Sequence, residues 1–262
     1  MIGFIKKIMY RTLGQSAYLK LLHTGFILLY KLGLLKKDPA YKYHYFVRHL
    51  VKPGDCVVDI GANLGYFSKI FSGLVTSKGR VICIEPVPPF FSTLQWALRN
   101  RANCTLHNKA LGLENSKVTM NLPKLNGQFR TGLAHIANET SNQQDNFTFE
   151  VDLVKGSELL GSLPAIQLIK CDIEGYEEYV LPEIKNILTT HKPIIQVETW
   201  GTHIVPVHAL MQELGYVEYR IYQNKLVKDM PADFEFGDSD YLFIHSSAEA
   251  ALVQKLKAVG AA

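Results

Sequence analysis

Cysteine is scarce in this chain, and its few cysteines lack the spacing of a metal or redox site. Cys56, Cys83, Cys104 and Cys171 are the four present, and no Cys-x-x-Cys pair occurs. A zinc site or a disulfide framework depends on such spacing or on an oxidising compartment. The cysteines are therefore predicted to be small buried core residues in the reducing cytosol, and no ligand spacing calls for a metal.

Long apolar runs are lacking as well. The apolar run 26–30 lies between Lys20 and Lys31, well short of the roughly 20 residues that cross a bilayer. No small-residue cleavage site follows it in the place expected for a signal peptide. We therefore expect a cytoplasmic protein. The charged content of 20% is ordinary for a globular protein and argues against extensive disorder.

Acidic residues are absent from the first 37 residues, which carry seven positive charges. Removing these seven from the net charge of +4 leaves −3 for the rest, which lacks the basic stripe that nucleic-acid binding requires. Residues 1–40 are predicted to form a basic amphipathic helical extension, and residues 41–262 the main domain. The extension either covers one face of that domain, which is the commoner arrangement, or lies on an anionic membrane or a partner subunit.

A glycine-containing turn is the most informative feature that the chain does have. A buried strand containing Asp59 leads into Gly61, Asn63 and Gly65, and a helix follows. Such a turn directs backbone N–H groups at a ligand, and Gly65 is expected to let the helix pack close to the strand. A dinucleotide needs glycine where Asn63 stands, although Asn can still adopt the left-handed conformation. The turn therefore favours an adenosyl ligand without a pyrophosphate, of which S-adenosylmethionine is the commonest.

Two acidic residues support a nucleoside site. Glu85 ends the second apolar run, 81–84, and lies twenty residues beyond Gly65. At that distance it can hydrogen-bond both ribose hydroxyls. Asp59 can hold a positively charged amino group or order the glycine turn. The alternative is an ordinary turn with a solvated Glu85, but two acids at the ends of neighbouring strands favour the nucleoside site.

Apolar strand candidates alternate with helical patterns along most of the chain. The strands are predicted at 57–60, 81–84, 104–111, 117–121, 147–154, 166–171, 193–198, 217–222 and 241–245. This alternation predicts an α/β fold with a doubly wound, mostly parallel sheet, which binds ligands beyond the carboxyl ends of its strands. Five acids are expected at those ends: Asp59, Glu85, Asp172, Glu174 and Glu198.

Three of these carboxylates are candidates for catalysis. Methyl transfer from a sulfonium mainly requires positioning, but an alcohol acceptor must also lose its proton to a base. Asp172 and Glu174 are expected near the centre of the sheet, and Glu198 and His203 beside them. Because crowded carboxylates raise one another's pKa, one of them becomes a better base.

Structural roles are the alternatives for the same residues. Asp172 could be the N-cap of a helix predicted from Gly175 through Leu188. Glu174 and Glu177 could interact favourably with the dipole of that helix, and His203 is more often a surface or capping residue.

The segment 123–146 is rich in Asn, Gln, Gly and Thr and is predicted to be a loop. A loop of this length commonly binds a ligand or covers a site. Arg130, Thr131 and His135 are candidates for contacting a substrate there, and an inert loop is the equal alternative.

Several segments resemble the FkbM family of methyltransferases, and the likeness covers about residues 50 to 200. The matching segments are 59–65 (DIGANLG), 84–86 (IEP), 108–112 (NKALG), 168–177 (LIKCDIEGYE) and 196–198 (QVE). The acid-x-Glu-Gly-x-Glu part is the most specific of them. One departure is visible, since the family usually has Thr-Leu-Asp where this chain has Lys155, Gly156 and Ser157.

The resemblance implies a class I methyltransferase fold of the Rossmann-like type, S-adenosylmethionine as the donor, and O-methylation of sugar or natural-product hydroxyls. Carried over to this sequence, it places Glu85 at the ribose and Asp172 at the border of donor and acceptor. The other cofactor-binding candidates are Asp59, Gly61, Asn63 and Gly65 around the methionine part, and Asn108.

The predicted function is therefore an S-adenosylmethionine-dependent O-methyltransferase acting on a glycan or another hydroxylated metabolite. One rival is an NAD-linked oxidoreductase on a similar sheet, which Asn63 disfavours. The other is a non-catalytic nucleoside-binding module, which the strand-end carboxylates disfavour.

Overall fold

The apolar runs of the sequence form the strands of the computed structural model, which describes residues 2–125, 128–129, 135–136, 146–228 and 239–262. Its helices are α1 (Ile2–Lys31), α2 (Lys42–Leu50), α3 (Tyr66–Val75), α4 (Pro88–Leu98), α5 (Gly156–Leu160), α6 (Glu177–Glu183), α7 (Lys185–His191), α8 (Ile204–Glu213) and α9 (Ser246–Ala258). Its strands are β1 (Cys56–Ile60), β2 (Arg80–Ile84), β3 (Cys104–His107), β4 (Ala110–Gly112), β5 (Ser116–Leu125), β6 (Gln128–Phe129), β7 (His135–Ile136), β8 (Asn146–Lys155), β9 (Leu168–Cys171), β10 (Ile194–Glu198), β11 (Tyr216–Tyr222), β12 (Lys225–Val227) and β13 (Asp240–His245).

The main sheet has its strands in the order β12-β11-β13-β10-β9-β1-β2-β3. The strands from β10 to β3 are parallel, whereas β13 is antiparallel to both β10 and β11. Val57, Val58 and Ile169 in the central strands are fully buried, as expected when helices cover both faces of a parallel sheet. The predicted α/β fold with a mostly parallel sheet is therefore confirmed.

The N-terminal helix packs against α3 and α4. Gly14, with φ 73° and ψ 165°, divides α1 into two helical segments. In the second segment Leu19 and Phe26 are buried, and Nδ1 of His23 lies 2.9 Å from the carbonyl oxygen of Leu64. The second segment of α1 thus covers one face of the domain that contains the sheet. None of the helices that the structure describes is long and apolar enough to cross a membrane.

A smaller sheet lies beside the main one. Its strands follow the order β4-β8-β5-β6, and β7 pairs with β5. The antiparallel pairing of β5 with β8 extends to Pro123 opposite Asn146. Buried Met120 and Leu122 on β5 pack in one apolar cluster with Phe90 and Leu64. This sheet therefore covers the region where α4 meets the glycine turn.

The predicted loop 123–146 differs from the structure in part. The strand β5 continues to Leu125, and β6 and β7 lie within the same range. Pairing with β8 satisfies the backbone of β5 beyond the predicted strand 117–121, as far as Pro123. Arg130 and Thr131 lie outside the described residues, as does the side chain of His135.

The predicted strand 104–111 is divided between the two sheets. Asn108 lies between β3 and β4, and its side-chain nitrogen donates to the carbonyl oxygens of Glu85 and Pro86, each at 2.8 Å. These bonds anchor the turn that redirects the chain. A continuous strand was therefore the wrong prediction, because a side-chain anchor interrupts the apolar pattern.

The predicted helix from Gly175 through Leu188 is two helices that begin later. The first, α6, starts at Glu177 and ends at Glu183, just after Pro182. Proline removes a backbone donor and breaks a helix, and α7 begins at Lys185. In the C-terminal region, β12 and α9 were not predicted. The nitrogen Nδ1 of His245 caps α9 by accepting from the backbone N–H of Ser247 at 3.1 Å, and histidine is not among the usual capping residues.

Candidate functional site

The glycine turn after β1 has three left-handed residues. Their φ angles are 77° at Gly61, 51° at Asn63 and 84° at Gly65. The N–H groups of Gly61 and Ala62 both donate to the carbonyl oxygen of Ile84, at 3.0 and 2.9 Å. The prediction that Asn63 adopts the left-handed conformation is therefore confirmed, and the turn is tied to the end of β2.

The two glycines of this turn make room for different neighbours. A Cβ added at Gly61 would lie 1.9 Å from the carbonyl oxygen of Asp172, so the turn touches the loop after β9. A Cβ at Gly65 would lie 2.7 Å from Cδ1 of Leu94 on α4. Gly65 therefore accommodates α4, and the expectation that it brings its own helix close to the strand is wrong, because the tight contact is between two helical segments.

Glu85 orders the glycine turn. Its Oε2 accepts from the N–H of Asn63 at 2.7 Å, and its Oε1 accepts from the N–H of Val87 at 2.8 Å. Burial raises the pKa of Glu85 to about 7, although both backbone hydrogen bonds oppose the shift. Each carboxylate oxygen can accept a second hydrogen bond, so Glu85 can support the turn and still bind a ligand hydroxyl.

Asp59 is joined to the helix that follows the turn. Its Oδ2 accepts from the hydroxyl of Ser68 on α3. Burial raises its pKa, since the side chain is fully enclosed. Among the described residues, no donor lies within hydrogen-bond distance of Asp59 Oδ1 or of Asn63 Oδ1, and both atoms are buried. Buried polar atoms are rarely left unpaired, which points to a ligand at this position.

A buried lysine lies beside Asp59. The strand register places Lys170 next to Asp59 on β1 and to Gln196 on β10, so all three side chains share one face of the sheet. Lys170 Nζ lies 2.8 Å from Oδ2 of Asp172 and 5.1 Å from the ring centre of Phe67. Burial alone would lower the pKa of Lys170, but the negative charges of Asp172 and Asp59 raise it. The lysine is therefore a permanent cation at the centre of the site.

The sequence interpretation missed Lys170, although a signal was present. It is the one charged residue in the apolar run 166–171 and precedes Asp172 by two positions. A charged residue inside a buried strand requires a partner, and the nearest candidates were the strand-end carboxylates.

The loop after β9 is held by Glu177. Its two oxygens accept from the N–H groups of Ile173, at 2.7 Å, and Gly175, at 3.0 Å. Glu174 and Gly175 both have left-handed φ angles, 59° and 94°. Asp172 is not an N-cap, because α6 begins five residues later, at Glu177.

Glu174 is a carboxyl group of this loop with a strongly raised pKa. Burial, followed by the charges of Asp172, Glu198 and Glu177, raises its pKa to about 8 from an ordinary 4.5. The folded protein therefore holds this proton more tightly than the unfolded chain does. The stability that follows is complete below about pH 4.5 and is lost as the pH rises through about 8.

Replacing Glu174 by glutamine should remove this loss. The free energy of unfolding of Glu174→Gln, relative to that of the wild type, is expected to increase as the pH rises from 4.5 to 8. Urea titrations at several pH values measure this difference. Glu213→Gln is the matched control, since Glu213 is 60% exposed in a surface ion pair. Parallel curves for Glu174→Gln and the wild type would contradict the prediction.

The remaining candidates lie around this centre. Glu198, at the end of β10, accepts from the hydroxyl of Ser239 at 3.1 Å. Nδ1 of His203 lies 2.6 Å from Oε1 of Glu178. This contact agrees with a surface role for His203, which the sequence analysis gave as the alternative to catalysis. Asn108 supports the backbone of Glu85 and Pro86 through its side-chain nitrogen.

Two cavities, which we call the first and the second cavity, flank the glycine turn. Their open space is about 650 and 600 Å³, including solvent at their mouths. Gly61, Asn63 and Asp172 line both of them. The first cavity is also lined by Glu85 and Glu174. The second is also lined by the carboxylates of Asp59, Glu198 and Asp240 and by the cation of Lys170. All five predicted acids therefore line these two cavities, which together we call the crevice.

Some predicted residues do not line the crevice, and others were not predicted. Among the lining residues that the structure describes, Gly65, Asn108 and His203 are not found. The second cavity is bordered by aromatic side chains that the sequence analysis did not single out, namely Tyr43, His44, Tyr66 and Phe67. They come from α2 and α3, so no strand-end pattern indicates them. Within the described part of the chain, no cluster of His, Cys, Asp and Glu is arranged to hold a metal ion.

The crevice fits the donor expected from the sequence. The two cavities share residues of the glycine turn and of the loop after β9. Unpaired Asp59 Oδ1 suits an ammonium group, and Glu85 faces the first cavity with acceptor capacity left. These are the two groups that an aminoacyl adenosyl ligand requires at its ends.

Comparisons with known proteins give one family match and several weaker structural likenesses. The family model of the methyltransferase FkbM domain matches residues 59–218, whereas no curated protein matches the chain. A solved FkbM methyltransferase from Methylobacillus flagellatus KT is 17% identical with a TM-score of 0.47, over 88% of this chain and 55% of that one. This chain thus spans just over half the length of that protein.

More distant likenesses are weaker. Aeropyrum pernix fibrillarin, solved with bound S-adenosyl-L-methionine, is 12% identical with a TM-score of 0.42, over 74% of this chain and 68% of that one. A SAM-dependent O-methyltransferase from Thermotoga maritima is 12% identical with a TM-score of 0.40, over 78% of this chain and 63% of that one.

Proposed function

Because the chain belongs to the FkbM methyltransferase family, we propose that it transfers a methyl group from S-adenosylmethionine to a hydroxyl group of a sugar or another hydroxylated metabolite. The observation that carries this proposal is the crevice in which two cavities share Gly61, Asn63 and Asp172. A donor that spans both cavities presents its sulfonium methyl where they meet. The acceptor then occupies the outer part of the second cavity.

The donor site uses the charges on either side of the turn. Asp59, buried and with one unpaired oxygen, pairs with the ammonium group of the donor. Glu85 accepts from the ribose hydroxyls in the first cavity, where Phe90, Leu111 and Met120 provide apolar surface for the adenine ring. Burial strengthens both polar contacts, because the interior screens charge less than water does.

Asp172 is the favoured general base. It lies at the junction of the cavities, and Lys170 contacts only its Oδ2 among the described ion pairs, so Oδ1 can accept the proton of the acceptor hydroxyl. The oxygen of the alcohol forms its bond to the methyl carbon as the bond from sulfur to that carbon breaks, and the proton remains on the carboxyl group. Glu174 in the first cavity and Glu198 in the second are the alternative candidates for the general base.

The lining of the second cavity supports a hydroxyl-bearing acceptor. Tyr43, Tyr66 and Phe67 provide ring faces, and Asp172 and Glu198 provide acceptors. Ring faces together with carboxylate acceptors suit a polyhydroxylated molecule, which has both apolar C–H faces and O–H donors. A nicotinamide dinucleotide fits less well, since the side chain at Asn63 obstructs the approach of a pyrophosphate.

The test is methyl transfer from isotope-labelled donor to a panel of hydroxylated sugars. Wild-type protein is expected to label at least one sugar, and Asp172→Asn is expected to reduce kcat by about a hundredfold, the scale of general-base catalysis. Donor affinity, measured by calorimetry, should change much less. An active Asp172→Asn variant would remove Asp172 as the base, and label found only on nitrogen would contradict O-methylation.

Donor recognition is tested separately by calorimetric titration. S-adenosylmethionine and its demethylated product should bind, and NAD should not. Glu85→Ala is expected to weaken donor binding by about 1–3 kcal/mol, the cost of leaving a buried polar group unpaired. Glu158→Ala is the matched control, since Glu158 contacts Asn115 at the surface. Unchanged affinity in Glu85→Ala would remove Glu85 from the donor site.

A further inference from the structure

The outer side of α1 carries leucines that no part of the described chain covers. Leu21, Leu28 and Leu32 are spaced by seven and four residues, which places them on one side of a helix. Their exposed fractions are 41%, 56% and 62%. The N–H of Leu32 donates to the carbonyl oxygen of Leu28, so the helical turn continues past Lys31. We call these three residues the leucine face.

The leucine face points away from the domain. The residues that dock α1 onto the domain, Leu19 and Phe26, are buried, and they occupy the opposite side of the helix by the same spacing argument. An apolar face on the inner side secures α1 to the protein. A second apolar face on the outer side has no such role, and exposed apolar patches commonly mark an interaction surface.

Cations border this face. Lys20 and Lys31 lie on α1, and the pKa of Lys69 on α3 is lowered by burial and then by the positive charges of Arg101, Lys31 and Arg99. Such mutual repulsion requires that these side chains lie near one another. The Nζ atom of Lys69 itself donates to the carbonyl oxygen of Ala97 at 2.7 Å. We call Lys20, Lys31, Arg99 and Arg101 the basic rim.

No acidic residue offsets the basic rim from the helices that carry it. The helices α1, α3 and α4, and the residues 99–101 that follow α4, contain no Asp or Glu. Since the first 37 residues hold seven positive charges and the rest of the chain is net negative, the positive charge is concentrated at this end of the molecule. A surface that is both apolar and cationic complements one that is apolar and anionic.

Trp96 lies within the basic rim. Lys20 Nζ lies 5.8 Å from the centre of the Trp96 ring, and the guanidinium of Arg99 lies 4.9 Å from it. Tryptophan and basic side chains are both enriched where a protein meets the headgroup region of a bilayer. The Trp96 ring therefore lies between two cations of the rim.

We propose that the leucine face and the basic rim dock the protein on the surface of an anionic lipid bilayer. The leucines enter the boundary between headgroups and acyl chains, and the rim pairs with lipid phosphates, as in other interfacial amphipathic helices. A second copy of this chain is a poorer occupant, because a symmetric contact would place one basic rim against another. This docking is independent of the methyl-transfer proposal.

The test is co-sedimentation of the full chain with lipid vesicles, without donor or acceptor. The protein is expected to sediment with vesicles of phosphatidylcholine mixed with phosphatidylglycerol, and not with phosphatidylcholine alone. Lys20→Gln combined with Lys31→Gln should weaken binding by about thirtyfold, at roughly a fivefold loss per cation. Leu28→Gln combined with Leu32→Gln should weaken it at least about tenfold.

A matched control separates the leucine face from exposed apolar residues in general. Leu113 and Val205 are 52% and 67% exposed elsewhere on the protein, so Leu113→Gln combined with Val205→Gln should bind vesicles like the wild type. Except for half-buried Lys20, these variants change exposed side chains, and circular dichroism checks that each is folded. Binding that ignores lipid charge, or that survives loss of the leucines, would overturn the proposal. So would a dimer in sedimentation velocity that Leu28→Gln combined with Leu32→Gln dissolves.

Discussion

Replacing Lys170 by methionine is expected to lower the free energy of unfolding by about 3–5 kcal/mol at neutral pH, the usual cost of removing one partner of a buried ion pair. The side chains of Lys170 and Asp172 are 4% and 27% exposed, and fully buried Asp59 is the next residue across the sheet. Without the ammonium group, two carboxylates share an interior site with no cation. Urea titration of Lys170→Met against wild type measures the loss.

Two further measurements make this prediction specific. The loss in Lys170→Met should shrink at acidic pH, because protonation of the abandoned carboxylates removes their repulsion. Adding Asp172→Asn to Lys170→Met should recover part of the stability, since one of the two charges is then gone. Lys185→Met is the matched control, because its ion pair with Glu213 is 44% and 60% exposed and such pairs contribute at most about 1 kcal/mol. Equal losses at positions 170 and 185 would contradict the prediction.

The central part of the fold follows from local pattern. Buried parallel strands are nearly continuous apolar runs, and β1, β2, β9 and β10 have that pattern. Their order along the chain places acids at one edge of the sheet, which is why the acidic crevice around Asp172 could be predicted. The left-handed conformation of Asn63 also followed from residue type alone.

The parts that could not be predicted depend on contacts between distant segments. Asn108 interrupts a strand because its side chain reaches the backbone after β2, and Gly65 is required by α4 and not by its own helix. The partners of β5 include β8, about thirty residues further along the chain, and the alternating pattern that predicts a strand does not identify its partner. The aromatic border of the second cavity likewise comes from α2 and α3, which only the folded chain brings to the strand ends.

The second large effect is expected at Gly61. Alanine at this position would adopt a left-handed φ of 77° and would place its Cβ 1.9 Å from the carbonyl oxygen of Asp172. A left-handed alanine costs about 1–2 kcal/mol, and overpacking adds about 1–3 kcal/mol. We therefore expect Gly61→Ala to lose about 3 kcal/mol or more of stability by urea titration.

Donor binding should be lost with it, and the reason is geometric. To relieve the contact, the turn and the loop after β9 must separate, yet Gly61 and Asp172 border both cavities. Gly73→Ala is the matched control: Gly73 lies in α3 with open space around its Cβ position, and alanine there should stabilise the helix by about 0.5–1 kcal/mol. A Gly61→Ala protein that binds S-adenosylmethionine normally in calorimetry would show that the close contact between the turn and Asp172 does not shape the donor site.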